Sequence, residues 1–216
     1  MTPMHYLALG DSISIDRYPA LETGTDGLGA ASLFHRNHDR VWPEFRGRDL
    51  ATLHPGVTFT NLTEDGATSA DVLERQLPRV RGKADIITLT AGGNDLLMSL
   101  GGRSSPAAGI LKRIGQIVRE VRDGLLIIGT IYDPTDGTKV LEEARLEREA
   151  VWLDEINDGI RALASDRIRI ADIQRHFLGH GLTAAAGERW YWSGSIIEPA
   201  ARGASEVRRL WLEAAR

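Results

Sequence analysis

The chain of 216 residues contains no cysteine. That excludes a thiol nucleophile, a disulfide and a thiolate metal site together, and it fits a reducing compartment. Long apolar runs are also missing. The longest, from Leu125 to Ile131, falls far short of the ~20 residues a membrane span needs. The opening MTPMHYLALG has neither a basic segment nor a small-residue cleavage site, so a cytoplasmic location without membrane attachment is expected. Positive charge is not in excess: Lys and Arg number 26 against 30 Asp and Glu, for a net charge of −4. The densest basic group, Arg202, Arg208 and Arg209, reads as the solvated face of a helix, and no nucleic-acid partner is expected. There is no phosphate loop with Gly-Lys-Ser/Thr. The stretch Gly27-Leu-Gly29-Ala-Ala-Ser32 lacks both the preceding strand and the third glycine of a dinucleotide fingerprint. His35/His38 and His176/His180 have the spacing of helical metal ligands, but glycines flank His180, and neither a metal nor a cofactor is expected.

What is present is an alternation. Tyr6–Leu9, Val57–Asn61, Asp85–Thr90, Leu125–Ile131 and Ile168–Asp172 are short, aliphatic and not strictly alternating, as strands buried on both faces are. Helical patterns lie between them at 69–77, 107–121 and 140–163, with a last one at 199–214. This predicts an α/β fold with a five-stranded parallel sheet between two helical layers. Residues 1–216 are read as one domain. The long connection at about 16–55, which includes the glycine-rich GTDGLGAAS, is expected to be either a lid or specificity loop or a peripheral embellishment.

Functional sites of parallel sheets lie beyond the carboxyl ends of the strands. Three polar, glycine-containing turns fall there. Gly10-Asp11-Ser12-Ile13-Ser14 follows the first strand, Asp65-Gly66-Ala67-Thr68 the second and Gly92-Gly93-Asn94-Asp95 the third. Ser12 is a candidate nucleophile. The Ser12 N–H, an N–H at Gly66 and the Asn94 amide are candidate oxyanion donors. Asp11, Asp95 and Trp192 are expected at the substrate, the two carboxylates also bonding loop amides.

On these residues the chain resembles the SGNH (GDSL-type) hydrolases, over essentially its whole length. The resemblance implies a flavodoxin-like three-layer α/β/α sandwich and a serine esterase acting on a small-molecule carboxylic ester with a short acyl group. Ser12 matches that family's nucleophile, and Gly66 and Asn94 match its further oxyanion positions. The fourth block departs from the pattern. Where the family carries Asp-x-x-His-Pro, this chain reads Ser195-Ile196-Ile197-Glu198-Pro199, with both supporting members of the triad replaced. Three answers remain for the proton of Ser12: Glu198 accepts it; His180 accepts it, oriented by Glu198; or nothing does and the scaffold binds a ligand. An acyltransferase of the same fold is a further alternative. Glu198 also reads as a helix-start carboxylate beside a first-turn proline. The sequence does not determine the oligomeric state.

Overall fold

The computed structural model describes residues 3–141 and 144–216. Its main sheet is built from β1 (His5–Gly10), β2 (Thr58–Asn61), β3 (Ile86–Thr90), β4 (Leu125–Gly129) and β7 (Ile168–Ala171), in the order β2-β1-β3-β4-β7 with every pairing parallel. Two short strands, β5 (Val140–Leu141) and β6 (Ala144–Arg145), form a separate antiparallel hairpin.

Successive side chains of a strand point to opposite faces, and here both faces are apolar. Leu7 and Leu9 of β1 pack with α6 (Ala107–Glu120) and α7 (Glu147–Arg161). Tyr6 and Ala8 pack with α2 (Ala30–His35) and α9 (Ala201–Ala214). The sheet is thus covered on both sides, as expected. Within the long connection, α1 (Arg17–Thr23), α2 and α3 (Leu50–Leu53) are regular helices, and α2 packs along α9.

Three expectations need correction. The helix expected over 140–163 starts only at Glu147. Before it, Asp136 (φ 51°) and Lys139 (φ 62°) adopt left-handed backbone conformations, and the Leu146 N–H donates to the Lys139 carbonyl at 2.8 Å, so the chain folds back as the β5–β6 hairpin. Residues 142–143 of that expected helix lie outside the described residues. The final helix starts at Ala201 rather than Pro199, because Pro199 is held in an antiparallel bridge to Tyr191. The segment at 69–77 is only briefly α-helical as α4 (Ser69–Asp71), then widens to a π-type turn that places Gln76 in the interior. The remaining short helices are α5 (Gly93–Met98) and α8 (Ile173–Phe177). Among the described residues, no helix is long and apolar enough to cross a membrane.

Candidate active site

The end of β1 is fixed by close contact. A Cβ at Gly10 (φ 130°) would stand 2.2 Å from the Thr90 carbonyl oxygen, so only glycine lets β1 lie this tightly against the end of β3. Gln76 holds the same residue: the Gly10 N–H donates to its Oε1 and its Nε2 donates to the Gly10 carbonyl, each at 2.8 Å. The chain then turns. The Asp11 N–H donates to Thr90 Oγ1 at 3.3 Å, and the Ile13 N–H donates to Asp11 Oδ1 at 3.2 Å. Ser12 opens the resulting single helical turn and is only 6% exposed.

Glu198 reaches Ser12 from the other end of the chain. The Ser195 N–H donates to the Trp192 carbonyl (3.1 Å), the Glu198 N–H to the Ser195 carbonyl (3.3 Å) and the Trp192 N–H back to the Glu198 carbonyl (2.8 Å). This compact turn sits on the Tyr191–Pro199 bridge and brings residues 195 and 198 onto one loop. The Glu198 carboxylate is buried, and its pKa is pushed up to about 7. Burial is the largest cause, and the charges of Asp11 and Asp65 add to it. The Ser12 hydroxyl and Arg17 oppose the rise, since both favour the ionised form. Glu198 Oε2 is buried with no hydrogen-bond partner. Asp11 is also raised, to about 6, again mainly by burial.

Glu198 does not cap the helix it precedes. The first N–H of α9, that of Ala201, donates to Glu22 Oε2 at 2.6 Å. The helix-start reading of Glu198 therefore fails: another residue does that work, and α9 begins too late.

The Asn94 Nδ2 donates to the Ala67 carbonyl at 2.9 Å, tying the third turn to the second. Gly66 has φ 72°, and the space where a Cβ would stand is empty. Asp95 is committed elsewhere. It accepts from the Ser69 N–H and hydroxyl, both at 2.7 Å, and pairs with Arg113 at 2.8 Å.

A cavity of about 110 Å³ joins several of these groups. Asp11, Ser12, Asn94 and Glu198 line it, with Leu97, Leu100, Ile131, Tyr132 and Leu153 as apolar walls. Gly66, Asp95, His180 and Trp192 are not in its lining. The His180 ring stacks on Trp190 (3.6 Å between centroids, 6° between planes), and its Nδ1 lies 3.0 Å from the Glu188 carbonyl. Trp192 leans on Tyr18 at 5.6 Å. Of the other paired histidines, His35 stacks on Phe59 and His176 bonds Glu206, while the Nδ1 of His38 is buried without a hydrogen-bond partner. Among the described residues, no group of three or more His, Asp or Glu is placed to hold a metal ion.

Sequence reasoning missed the apolar walls, because α5, α7 and the segment after β4 supply them from separate parts of the chain. It also missed Gln76, whose isolated amide gives no motif. Arg17 and Tyr18 went unnoticed too. Both engage Asp65, Tyr18 through a 2.9 Å hydroxyl bond, and so stand beside Glu198.

The parallel sheet and the serine turn after its first strand define the fold of the SGNH hydrolases. Residues 8–203 match the profile of the GDSL-like Lipase/Acylhydrolase family, and the chain belongs to that family. It is similar to solved structures that share little sequence with it. An extracellular lipase from Streptomyces rimosus is 20% identical with a TM-score of 0.67, over 98% of this chain and 99% of that one. A phospholipase A1 from Streptomyces albidoflavus is 19% identical with a TM-score of 0.65, over 99% and 100%. An acetyl xylan esterase is 14% identical with a TM-score of 0.69, over 99% and 100%. A search of curated proteins finds no match.

Proposed function

We propose that the protein is a serine hydrolase of carboxylic esters in which Glu198 replaces the family's histidine as general base. The observation that carries this is a buried carboxylate beside a buried serine, relieved of any helix-capping role, with its pKa raised to about 7. An ordinary carboxylate near pH 4 is too weak a base for a serine hydroxyl. One near the working pH combines adequate basicity with a large ionised fraction.

The steps balance without a further reactant beyond water. Ser12 Oγ attacks the ester carbonyl carbon as its proton passes to the Glu198 carboxylate. The tetrahedral intermediate places its negative oxygen toward the Ser12 N–H, the Gly66 N–H and the Asn94 amide. The carbon–oxygen bond to the alcohol breaks, and protonated Glu198 returns its proton to the leaving oxygen. Water then attacks the acyl-serine, Glu198 takes and returns a proton in the same way, and the carboxylic acid departs.

The test is to label with a serine-directed fluorophosphonate and to assay aryl esters. Ser12 takes the label, Ser12→Ala loses both label and turnover, and Glu198→Gln lowers kcat by ~10²–10⁴-fold, the usual contribution of a positioned acid–base group. Full activity in Glu198→Gln removes the carboxylate from the mechanism. Absence of labelling and turnover leaves a ligand-binding scaffold.

A further inference from the structure

Two buried carboxamides act alike on the two sides of the site. Gln76 grips Gly10, ahead of Ser12. Asn157 of α7, wholly buried, grips Ile131 just beyond β4: its Oδ1 accepts from the Ile131 N–H and its Nδ2 donates to the Ile131 carbonyl, each at 2.8 Å. The next residue is Tyr132. Its buried ring stacks on Phe177 (5.1 Å between centroids, 14° between planes) and meets Tyr191 edge-on (5.0 Å, 87°). Backbone and ring are both fixed, and that aims the hydroxyl. It donates to the carbonyl of Ile197, 65 residues further on and directly before Glu198. Burial pushes this hydroxyl well above its ordinary range, so it stays a donor throughout the working pH.

The turn that carries Glu198 otherwise closes on itself. Its backbone bonds join Trp192, Ser195 and Glu198 to one another, and the Ala200 N–H returns to the Trp190 carbonyl. None of these bonds reaches the main sheet. Ser195 stands where the family has its orienting acid, yet it does not hold the carboxylate: Glu198 Oε2 has no partner. A catalytic base is ordinarily oriented by a third group. Here the side chain of residue 195 does not supply one.

We propose that Tyr132 is a positioning residue: through the Ile197 carbonyl it takes over the orienting task of residue 195 and sets the Glu198 carboxylate against Ser12, while Asn157 sets Tyr132. The sheet end at β4 is thereby coupled to a loop that follows every strand of that sheet. The inference rests on the reading of Glu198 as base, and its test separates the two.

Tyr132→Phe keeps the ring and its packing and removes only the donor. On aryl esters its kcat falls ~10²-fold while KM stays within about threefold, because a misplaced group costs the transition state and not binding. In a Glu198→Gln background the same substitution costs no further kcat, as expected of a residue that acts only through Glu198. The second readout is the Glu198 carboxyl itself, followed by carbon-13 NMR. It titrates near 7 in the parent and lower in Tyr132→Phe, since a released turn lets water reach the carboxylate. Asp11, Asp65, Arg17 and Tyr18 also face this carboxyl and are the same in both proteins. Parent-like kcat, or an undiminished loss in the Glu198→Gln background, overturns the proposal. So does a carboxyl that titrates as in the parent. Full activity in Glu198→Gln sinks the base, and the titration alone then decides whether Tyr132 places residue 198. If Tyr132→Phe does not fold, Asn157→Ser stands in: it loosens the Ile131 grip and moves kcat and the titration in the same directions, and no movement in either overturns the proposal.

Discussion

Gln76 holds Gly10 by both of its backbone groups, as a neighbouring strand would. Its carboxamide accepts from the Gly10 N–H and donates to the Gly10 carbonyl, and it is wholly buried. Two residues further on stands Ser12. Gln76→Leu leaves two buried backbone groups unpaired, at about 1–3 kcal/mol each. The expected outcome is a Tm lower by roughly 5–15 °C in a thermal melt. The surviving folded fraction loses kcat more than it gains KM, because Ser12, the proposed nucleophile, has lost its anchor. A variant that melts and turns over like the parent shows the clamp to be dispensable.

Catalysis through Glu198 requires its ionised form, so kcat/KM falls as pH drops through about 7. Asp11 lines the same cavity, and its charge raises Glu198. The other charged or titratable groups facing Glu198 are Asp65, Arg17, Tyr18 and Tyr132. Asp11→Asn keeps an acceptor for the Ile13 N–H but removes the charge. Its pH–rate profile moves its acid limb below that of the parent.

The same shift has a cost in stability, and its sign is fixed. Folding raises the Glu198 pKa from 4.5 to about 7, so the unfolded chain releases this proton first as pH rises. Stability is then lost progressively between those two values and stays lost above them. Glu198→Gln therefore melts higher than the parent at pH 8, by roughly 3–8 °C for a gain on the order of 1–2 kcal/mol. The difference shrinks toward pH 4. A stabilised but inactive Glu198→Gln is the signature of a carboxylate kept for chemistry.

Asn94 spends one amide hydrogen on the Ala67 carbonyl, which orients its side chain. Asn94→Ala lowers kcat by ~10²–10³, the loss seen when one oxyanion donor is removed. An unchanged kcat assigns Asn94 to loop bracing alone.

Residues 195 and 198 belong to one tight turn, closed by the Glu198 N–H on the Ser195 carbonyl. Replacing both restores the family's acid and imidazole in that geometry. Ser195→Asp with Glu198→His raises esterase activity near neutral pH and exceeds Glu198→His alone, because the carboxylate orients the ring. A folded double variant no faster than the parent on aryl acetates shows that this turn does not present residue 198 to Ser12.

His180 is stacked on Trp190 and outside the cavity lining. His180→Ala accordingly keeps activity within about threefold of the parent when assayed on the same esters, a change below the ~10²-fold minimum expected for a lost acid–base group. Loss of most turnover in a normally folded variant reverses the assignment of the base.

The central strands β1, β3 and β4 were legible because both of their faces are largely apolar: Leu7 and Tyr6, or Ile87 and Ile86, pack on opposite sides of the sheet. The three turns were legible because glycine, asparagine and aspartate cluster where buried strands end. The hairpin was not, since a charge-rich stretch reads as helix until Asp136 and Lys139 take left-handed conformations. Pro199 misled for a similar reason. Its ring suits a first helical turn, yet here it pairs with Tyr191, and the cap of α9 comes from Glu22, 179 residues away. Contacts of that range leave no trace in local spacing. The cavity was hidden on the same grounds.

The bridge between Tyr191 and Pro199 and the Glu22 bond to Ala201 also set a timetable. Ser12 is made with the first strand, whereas the loop bearing residue 198 follows every strand of the main sheet and is held only once α9 has docked. With Glu198 as the proposed base, an incompletely assembled chain carries a serine with no partner to take its proton. On the same proposal, reopening that segment, by partial unfolding or a protease cut in the loops after Phe177, silences turnover while leaving most of the sheet intact, so turnover reports on completed assembly.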